Sequence, residues 1–472
     1  MTTGAPEQPE QSQQSRQPQQ PEQPEAAPQA AGGARSSVLP RWSLTRSIVA
    51  AALSGAVFAA AGLLASRVDL ALLGLPFVLA AAWAWDGRPG DDAESHAEAL
   101  VEARARDGRL HYTVRFRLPQ GVESVAARFS THGGEAEELL IGARSAGELH
   151  GTVPLLHSGP QELLRLDYRL HGIDGSVLGE GPEGEGAGGL SVTRTIPASY
   201  HAISALPLPR RLQGLTGGHD SARPGDGGDF RDIHPFSPGD RLRRIDWKAT
   251  ARRGRFAGDL YVRRTTATSD ATVVVVLDSR DDVGEQIAEW SRNTAAIKGL
   301  GSLDVAREAA GSIAAGYIRA GDRVGFQDLA SQRRMVSHGA GSRHLQRLLR
   351  DIESSAPSGA PAFRQRPPVV APGALIYVLS TFLDDEAARM AGQWRAVGHR
   401  VIAVDVLPAA RFLGATREER IAHRIVMMER ADRIRGLEAR GIGLLRWQGE
   451  DDASREAALR ALSRDRPREA RR

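Results

Sequence analysis

The pattern of apolar and polar residues changes character repeatedly along the chain, and each change predicts a different kind of structure. Residues 1–40 carry Gln, Pro, Glu, Ala and Ser with almost no large apolar side chain. Such a segment cannot bury enough surface to offset chain entropy, so a disordered tail is expected. Ser47–Ser66 then runs without a charge, a length that spans the ~30 Å hydrocarbon core of a bilayer. Leu70–Trp85 is shorter, equally uncharged, and ends at the interfacial pair Trp83 and Trp85. Arg67-Val68-Asp69 between them leaves room only for a turn. The pattern predicts a two-helix transmembrane hairpin over residues 41–88, in preference to a buried helical hairpin of a soluble protein. Small residues at Gly55, Ala59 and Gly62 permit close helix packing. No ionisable group lies within either span, which removes support for transport or a proton relay.

Beyond the hairpin the period shortens to two. RLHYTVRFRL (109–118) and LLRLDYRLHG (163–172) alternate apolar and polar residues, with glycine-containing turns at 132–134 and 173–175. This predicts a small antiparallel β-sandwich-type domain over 95–200, with GEGPEGEGAGG (179–189) as a mobile loop. From about residue 271 strands alternate with helices. ATVVVVLD (271–278) is a continuous β-branched run, as expected of a strand buried on both faces. A helix over 302–319 follows, with Leu303, Ala306, Ala310 and Ile313 on one stripe, then ALIYVLS (374–380), RVIAVDVL (400–407) and IGLLRW (442–447). Repeated β-α units predict an α/β domain with a mostly parallel sheet over 263–460. The fold class is therefore multi-domain, and 201–262 becomes a connector.

Charge changes this picture in two places. Arg35, Arg41 and Arg46 precede the hairpin and Arg88 follows it, whereas the turn carries one charge of each sign. The positive-inside rule then predicts a two-pass cell-membrane protein with both termini and the α/β domain in the cytoplasm. The apolar run also starts too late for a cleaved leader. The whole chain of 472 residues carries a formal net charge of only +4, which by itself does not imply a nucleic-acid partner. It contains no cysteine, so disulfides, thiolate metal sites and cysteine nucleophiles are excluded.

The densest chemistry lies in FRDIHPFSPGDRLRRIDWKATARRGR, residues 230–255. Pro238-Gly239-Asp240 reads as a turn that starts a helix capped by Asp240. Asp240 and Arg244 then stand at i, i+4, Leu242, Ile245 and Ala249 form an apolar stripe, and Gly254 stops the helix. That helix is expected to press Trp247 onto the α/β domain. A salt-bridged connector is the first reading. A docking surface formed by Asp240, Arg243, Arg244, Asp246, Trp247, Lys248 and Arg252, for an acidic protein or a lipid headgroup, is the second. Nucleic-acid binding ranks last, because the charges alternate in sign and no stacking series of aromatics is present. His234, a lone histidine in this run, reads as a surface residue rather than a base.

Phe230-Arg231-Asp232-Ile233-His234-Pro235-Phe236, Pro238-Gly239-Asp240, Arg243-Arg244-Ile245-Asp246-Trp247-Lys248 and Ala251-Arg252 together resemble the signature of the domain-of-unknown-function 58 family. Val275-Val276-Leu277-Asp278, Gly321-Asp322-Arg323-Val324-Gly325 and Leu379-Ser380-Thr381-Phe382-Leu383-Asp384-Asp385 extend the resemblance over roughly 200–450. The resemblance implies a von Willebrand A-like (Rossmann-like) α/β domain. It also implies a MoxR-type AAA ATPase as partner, in membrane-linked assembly, chaperone-like or cell-envelope work.

Von Willebrand A-like domains typically hold Mg²⁺ above the carboxyl ends of the sheet strands, on an Asp-x-Ser-x-Ser loop with a distant Thr and Asp. Here the loop reads Asp278-Ser279-Arg280-Asp281-Asp282, so Arg280 and Asp282 occupy the serine positions, and Ser380-Thr381 forms the second loop. Two outcomes follow. One is a weakened Mg²⁺ site on Asp278, Asp282 and Ser380. The other, which is favoured, is a metal-free fold in which Arg280 pairs with an acid such as Asp281 or Asp384. No Gly-x-Ser-x-Gly elbow, phosphate loop or His-Glu-x-x-His is present. The expectation is a membrane-anchored, non-enzymatic interaction or scaffold protein needing no cofactor, with the lipid bilayer and the ATPase as partners. The alternative is a Mg²⁺-dependent hydrolase, or a metal-dependent ligand-binding protein, using the acids at the sheet's carboxyl edge.

Overall fold

The computed structural model describes residues 32–38, 41–86, 97–448 and 452–464, apart from 107, 132–135, 146, 173–176, 181–187, 211, 213–216, 257, 291–296, 298, 332–334 and 358–365. The first elements are β1 (Gly32–Val38), β2 (Arg41–Leu44) and the apolar helices α1 (Arg46–Leu64), α2 (Val68–Leu73) and α3 (Leu75–Asp86). Arg46–Leu64 and Val68–Asp86 are each long and apolar enough to cross a membrane, with only 11% of either buried in the fold. A soluble protein's buried hairpin would be mostly covered, and neither helix is. The helices touch through glycine: a Cβ on Gly62 would sit 2.5 Å from the backbone nitrogen of Ala71.

The tail was expected to run to residue 40, but Gly32–Val38 is a strand. It pairs antiparallel with β3 (Ala97–Arg106), with Val38 opposite Ala97. The remainder of the tail, 1–31 and 39–40, lies outside the described residues, as do Arg88 and the turns at 132–134 and 173–175. Next come β4 (Arg109–Arg117), β5 (Val122–Ser130), β6 (Glu137–Gly142), β7 (Leu149–Pro154), β8 (Gly159–Gly172), β9 (Val177–Glu180) and β10 (Gly188–Ile196). Two antiparallel sheets result, ordered β1-β3-β4-β7 and β2-β9-β8-β5-β6, with β10 also on β8. They share one core, in which Phe116 of the first sheet meets Tyr168 of the second edge-on at 5.6 Å. The 179–189 loop expected from sequence is shortened at both ends by the strands Val177–Glu180 and Gly188–Ile196, which pair with β2 and β8, and 181–187 lie outside the described residues.

A two-stranded arm follows, made of β11 (His219–Pro235) and β12 (Tyr261–Ser269), with the short helix α4 (Trp247–Arg253) between them. The α/β part comprises β13 (Thr272–Leu277), α5 (Ile287–Trp290), α6 (Ser302–Arg319), β14 (Arg323–Asp328), β15 (Val336–Gly339), α7 (Ser342–Glu353), β16 (Leu375–Ser380), α8 (Glu386–Ala396), β17 (Arg400–Asp405), α9 (Arg417–Ala439), β18 (Gly443–Arg446) and α10 (Asp452–Arg464). Its sheet runs β15-β14-β13-β16-β17-β18, parallel except for the edge strand β15. Val273, Val275 and Leu277 join a core with α6, α7 and α10, while Val274 and Val276 join one with α8 and α9. Both faces are covered, which explains why β13 reads as a continuous apolar run. α6 is buried around almost its whole circumference, because Tyr200, Ile203 and Leu206 lie along its outer side.

Two contacts fix the neighbouring parts. The β7–β8 loop meets the first turn of α6: His157 Nδ1 is 2.7 Å from Asp304 Oδ2, and the backbone N–H of Ser158 donates to Asp304 Oδ1 at 2.7 Å. Arg307 donates to the carbonyl of Ser158 at 2.9 Å. Gly159, at φ +83°, lets the guanidinium approach; a Cβ there would stand 2.4 Å from Arg307 Cζ. At the arm's base, His219 Nε2 lies 3.0 Å from Asp322, whose carboxylate also accepts the N–H of Ala271 at 2.8 Å.

Candidate functional site

β13 and β16 are adjacent parallel strands from which the sheet builds in opposite directions, so a crevice is expected beyond their carboxyl ends. Asp278, Arg280 and Ser380 stand there. The Arg280 guanidinium grips Asp278 with a fork, Nε to Oδ1 at 2.8 Å and Nη2 to Oδ2 at 2.9 Å. It also reaches Asp384, at 2.9 Å from Nη2 and 2.7 Å from Nη1. Ser380 Oγ donates to Asp278 Oδ2 at 2.8 Å and accepts the N–H of Phe382 at 3.0 Å. The Arg280 and Asp278 side chains are each 8% exposed. Burial works against the charge on Arg280, but the two carboxylates outweigh it and hold the guanidinium more firmly protonated than usual.

The loop after Ser380 is strained and pinned. Phe382 is buried at φ +53°, a conformation that costs a residue with a Cβ roughly 1–3 kcal/mol. Two arginines of α9 hold it: Arg430 Nε donates to the Thr381 carbonyl at 2.7 Å, and Arg433 donates to the Phe382 carbonyl at 2.8 Å. Arg430 also pairs with Asp405 at the end of β17, and Arg433 with Asp385. Neither arginine was marked by the sequence. In an Arg/Glu-rich helix, i, i+3 arginines look alike whether they face solvent or a strand end.

The remaining acids of the first loop go elsewhere. Asp282 Oδ1 accepts the Leu303 N–H at 3.0 Å and Ser302 Oγ at 3.2 Å, so it serves the start of α6. Burial pushes its carboxyl above the usual range. Asp281 is also raised, by burial first and then by the charges of Asp278 and Asp384; Arg280 pairs with those two acids and not with Asp281. Ser279 Oγ donates to Asp328 Oδ1 at 2.6 Å. Of the proposed ligands, Asp278 and Ser380 come together and Asp282 does not. Both oxygens of Asp278 are engaged by Arg280, and among the described residues no group of three His, Asp or Glu is arranged to hold a metal ion. The donor set as built does not fit a divalent cation, whose oxygen ligands would have to converge where the guanidinium sits.

The signature run departs from expectation in its geometry. The helix begins at Trp247, six residues beyond Arg241, and its cap is Asp246, which accepts the Ala249 N–H at 2.9 Å. Asp240 closes the preceding turn on the Ser237 N–H at 2.9 Å and meets Arg264 at 3.3 Å, rather than pairing with Arg244 at i+4. Ala249 is buried and Ile245 half-buried, but Leu242 is 68% exposed. Trp247 does not press on the α/β core; it is 69% exposed. The physical reason is that this run packs on β12 of the arm, where Ile245 bridges Val262 and Ala249 is buried, rather than on the α/β core. Arg243, Lys248 and Arg252 are exposed, and Gly254 ends the helix as expected. His234 is exposed and hydrogen-bonded to the Pro235 carbonyl at 2.8 Å.

No curated protein and no solved structure matches the chain. Residues 232–411, which carry all but the first two residues of the signature run and both loops of the switch-point site, match the family model described as Protein of unknown function DUF58, and this supports placing that stretch of the chain in the DUF58 family.

Proposed function

We propose that the chain is a membrane-anchored, non-enzymatic interaction module whose α/β part is a von Willebrand A-like domain with an arginine where that fold usually carries a cation. The observation behind this reading is the fork of Arg280 on Asp278, with Asp384 on its other side. A resident guanidinium neutralises the acids that a metal-dependent hydrolase would need free. Function then falls to macromolecular contact, and the exposed run around Arg243, Trp247, Lys248 and Arg252 is the docking face. The family resemblance suggests a MoxR-type AAA ATPase as partner in assembly, chaperone-like or cell-envelope work.

Anchoring on one side of the bilayer is supported by strand pairing. Val38, before the apolar helices, lies opposite Ala97, after them. A hairpin whose two flanks are zipped together returns to the side it left. Arginines at 35, 41 and 46 favour the cytoplasmic side.

The test is a paired measurement on the full chain in detergent or nanodiscs. Calorimetric titration with Mg²⁺ is expected to show no binding. Recovery of the ATPase is expected to fall when Arg243 and Lys248 are changed to Glu. Mg²⁺-dependent turnover of a small molecule would overturn the reading.

A further inference from the structure

We infer that the tip of the arm docks on anionic lipid headgroups, giving the membrane-tethered chain a second, electrostatic attachment to the bilayer. This deepens the docking reading above by naming the chemistry that the exposed face takes. Three observations carry it.

The first is the direction of the charges. Sequence alone shows acids and arginines interleaved through 236–260, but the structure separates them. Asp240 accepts the Ser237 N–H, Asp246 accepts the Ala249 N–H, and Asp259 accepts the N–H groups of Arg255 and Phe256 at 3.0 and 3.1 Å. Each carboxylate accepts from the tip's own backbone, and Asp240 also meets Arg264 of β12 at 3.3 Å. Arg243, Lys248, Arg252, Arg253 and Arg255 are exposed and, among the described residues, form no ion pair. Residues 236–260 hold seven basic side chains against three acids, and with those acids turned toward the backbone the outward field is positive although the written sequence looks mixed.

The second is what stands between the cations. Leu242, Trp247 and Phe256 are 68%, 69% and 80% exposed. Apolar and aromatic groups set among arginines match a headgroup layer, where phosphates take the guanidinium groups and the acyl boundary takes the rings. An acidic protein surface would satisfy the cations but offers no general partner for three protruding apolar side chains.

The third is reach. β12 pairs with β11 along the whole of Tyr261–Ser269, which at about 3.3 Å per residue carries the tip roughly 30 Å from its base. A chain held to a bilayer by its own helices presents such a tip to headgroups at high effective concentration. Each cation near an anionic surface contributes on the order of a fivefold gain in partitioning.

The chain has no cysteine, so Ala251→Cys, on the exposed side of α4, gives a unique attachment point for an environment-sensitive fluorophore. The labelled full chain is placed in nanodiscs of phosphatidylcholine alone or with phosphatidylglycerol, with and without a headgroup quencher. Docking predicts a blue shift and quenching only in the anionic discs, reversed by molar salt. It also predicts loss of both signals when Arg252, Arg253 and Arg255 are all changed to Glu, an effect of more than about a hundredfold in the docked-to-free ratio. The lipid and salt comparisons need no substitution, so a variant that folds poorly does not blunt the test. Equal signals in neutral and anionic discs overturn the inference. A probe that stays in water on both discs, yet is shielded by a purified acidic ATPase, overturns the lipid assignment while leaving the docking reading intact.

Discussion

Two regions of this molecule use the same residue types to opposite ends. At the switch point Arg280 is 8% exposed and closed on Asp278 and Asp384. At the arm tip, the carboxylates fold back on backbone N–H groups, and Arg243, Arg252, Arg253 and Arg255 are exposed. The difference lies in what each acid finds first. Among the described residues, the buried strand end at Asp278 offers its carboxylate only one backbone N–H, the long contact from Arg280 at 3.5 Å, so a guanidinium compensates it. Asp246 and Asp259 sit at a helix start and a turn, where N–H donors are already aimed at them. A buried ion cluster stabilises only as a complete set, whereas a solvent-facing cation contributes little to the fold and is free to bind.

That contrast can be broken by substitution. Arg280→Met leaves Asp278 buried without a counter-charge and is expected to cost about 3–5 kcal/mol. Adding Asp278→Asn should restore much of it, which denaturant or thermal unfolding of the α/β part would read. A variant as stable as the parent would mean the cluster is not compensated as described.

The second effect is pH-dependent and belongs to the contact between the β sheets and α6. Both ring nitrogens of His157 face acceptors, Asp304 and the Ile297 carbonyl, an arrangement that asks for the imidazolium. Burial lowers its pKa, but Asp304 and the carbonyl outweigh burial and raise it above the usual value, while His157 and Ser158 hold the Asp304 carboxyl below its own. Below the ordinary imidazole value of about 6.5 the contribution of His157 is present in full; it is lost as pH rises through the raised folded-state value. The Asp304 half is lost only in acid. Melting temperature is expected to fall from pH 6 toward pH 9 by the equivalent of ~1–3 kcal/mol. His157→Gln should flatten that slope, and a slope unchanged in the variant would assign it elsewhere.

Smaller still, Asp246→Ala removes the cap of α4 and is expected to cost about 1 kcal/mol. The loss should be local, seen as faster amide exchange over Trp247–Arg253. Smallest is Arg252→Ala, expected within about 0.5 kcal/mol of the parent in stability. A large loss there would show that the tip's cations, like Arg280, are part of the scaffold.

Much of the architecture was legible because it rests on local periodicity. The apolar helices, the helix at Ser302–Arg319 and the strands at Thr272–Leu277 and Leu375–Ser380 fall where the pattern put them. Arg280 was legible as a cation inside an acidic loop, and Asp384 as one of its two candidate partners. The strand at Gly32–Val38 was not legible, since GGARSSV has neither alternation nor strong β propensity and is ordered by its pairing with β3. Asp282 was misplaced for a related reason: spacing along a loop does not reveal that the start of α6 will compete for its carboxylate.

What the sequence determined by itself, then, was the set of elements and the chemistry available to them: two apolar helices, alternating strands, β-α repeats, no thiols, and a guanidinium inside an acidic loop. Only the tertiary structure decided which acid met which cation, that Trp247 faces outward, and that Arg430 and Arg433 reach across to the loop after Ser380. Periodicity is written over a few consecutive residues. Charge pairing depends on which distant backbone donors arrive first, and that is settled only when the chain closes on itself.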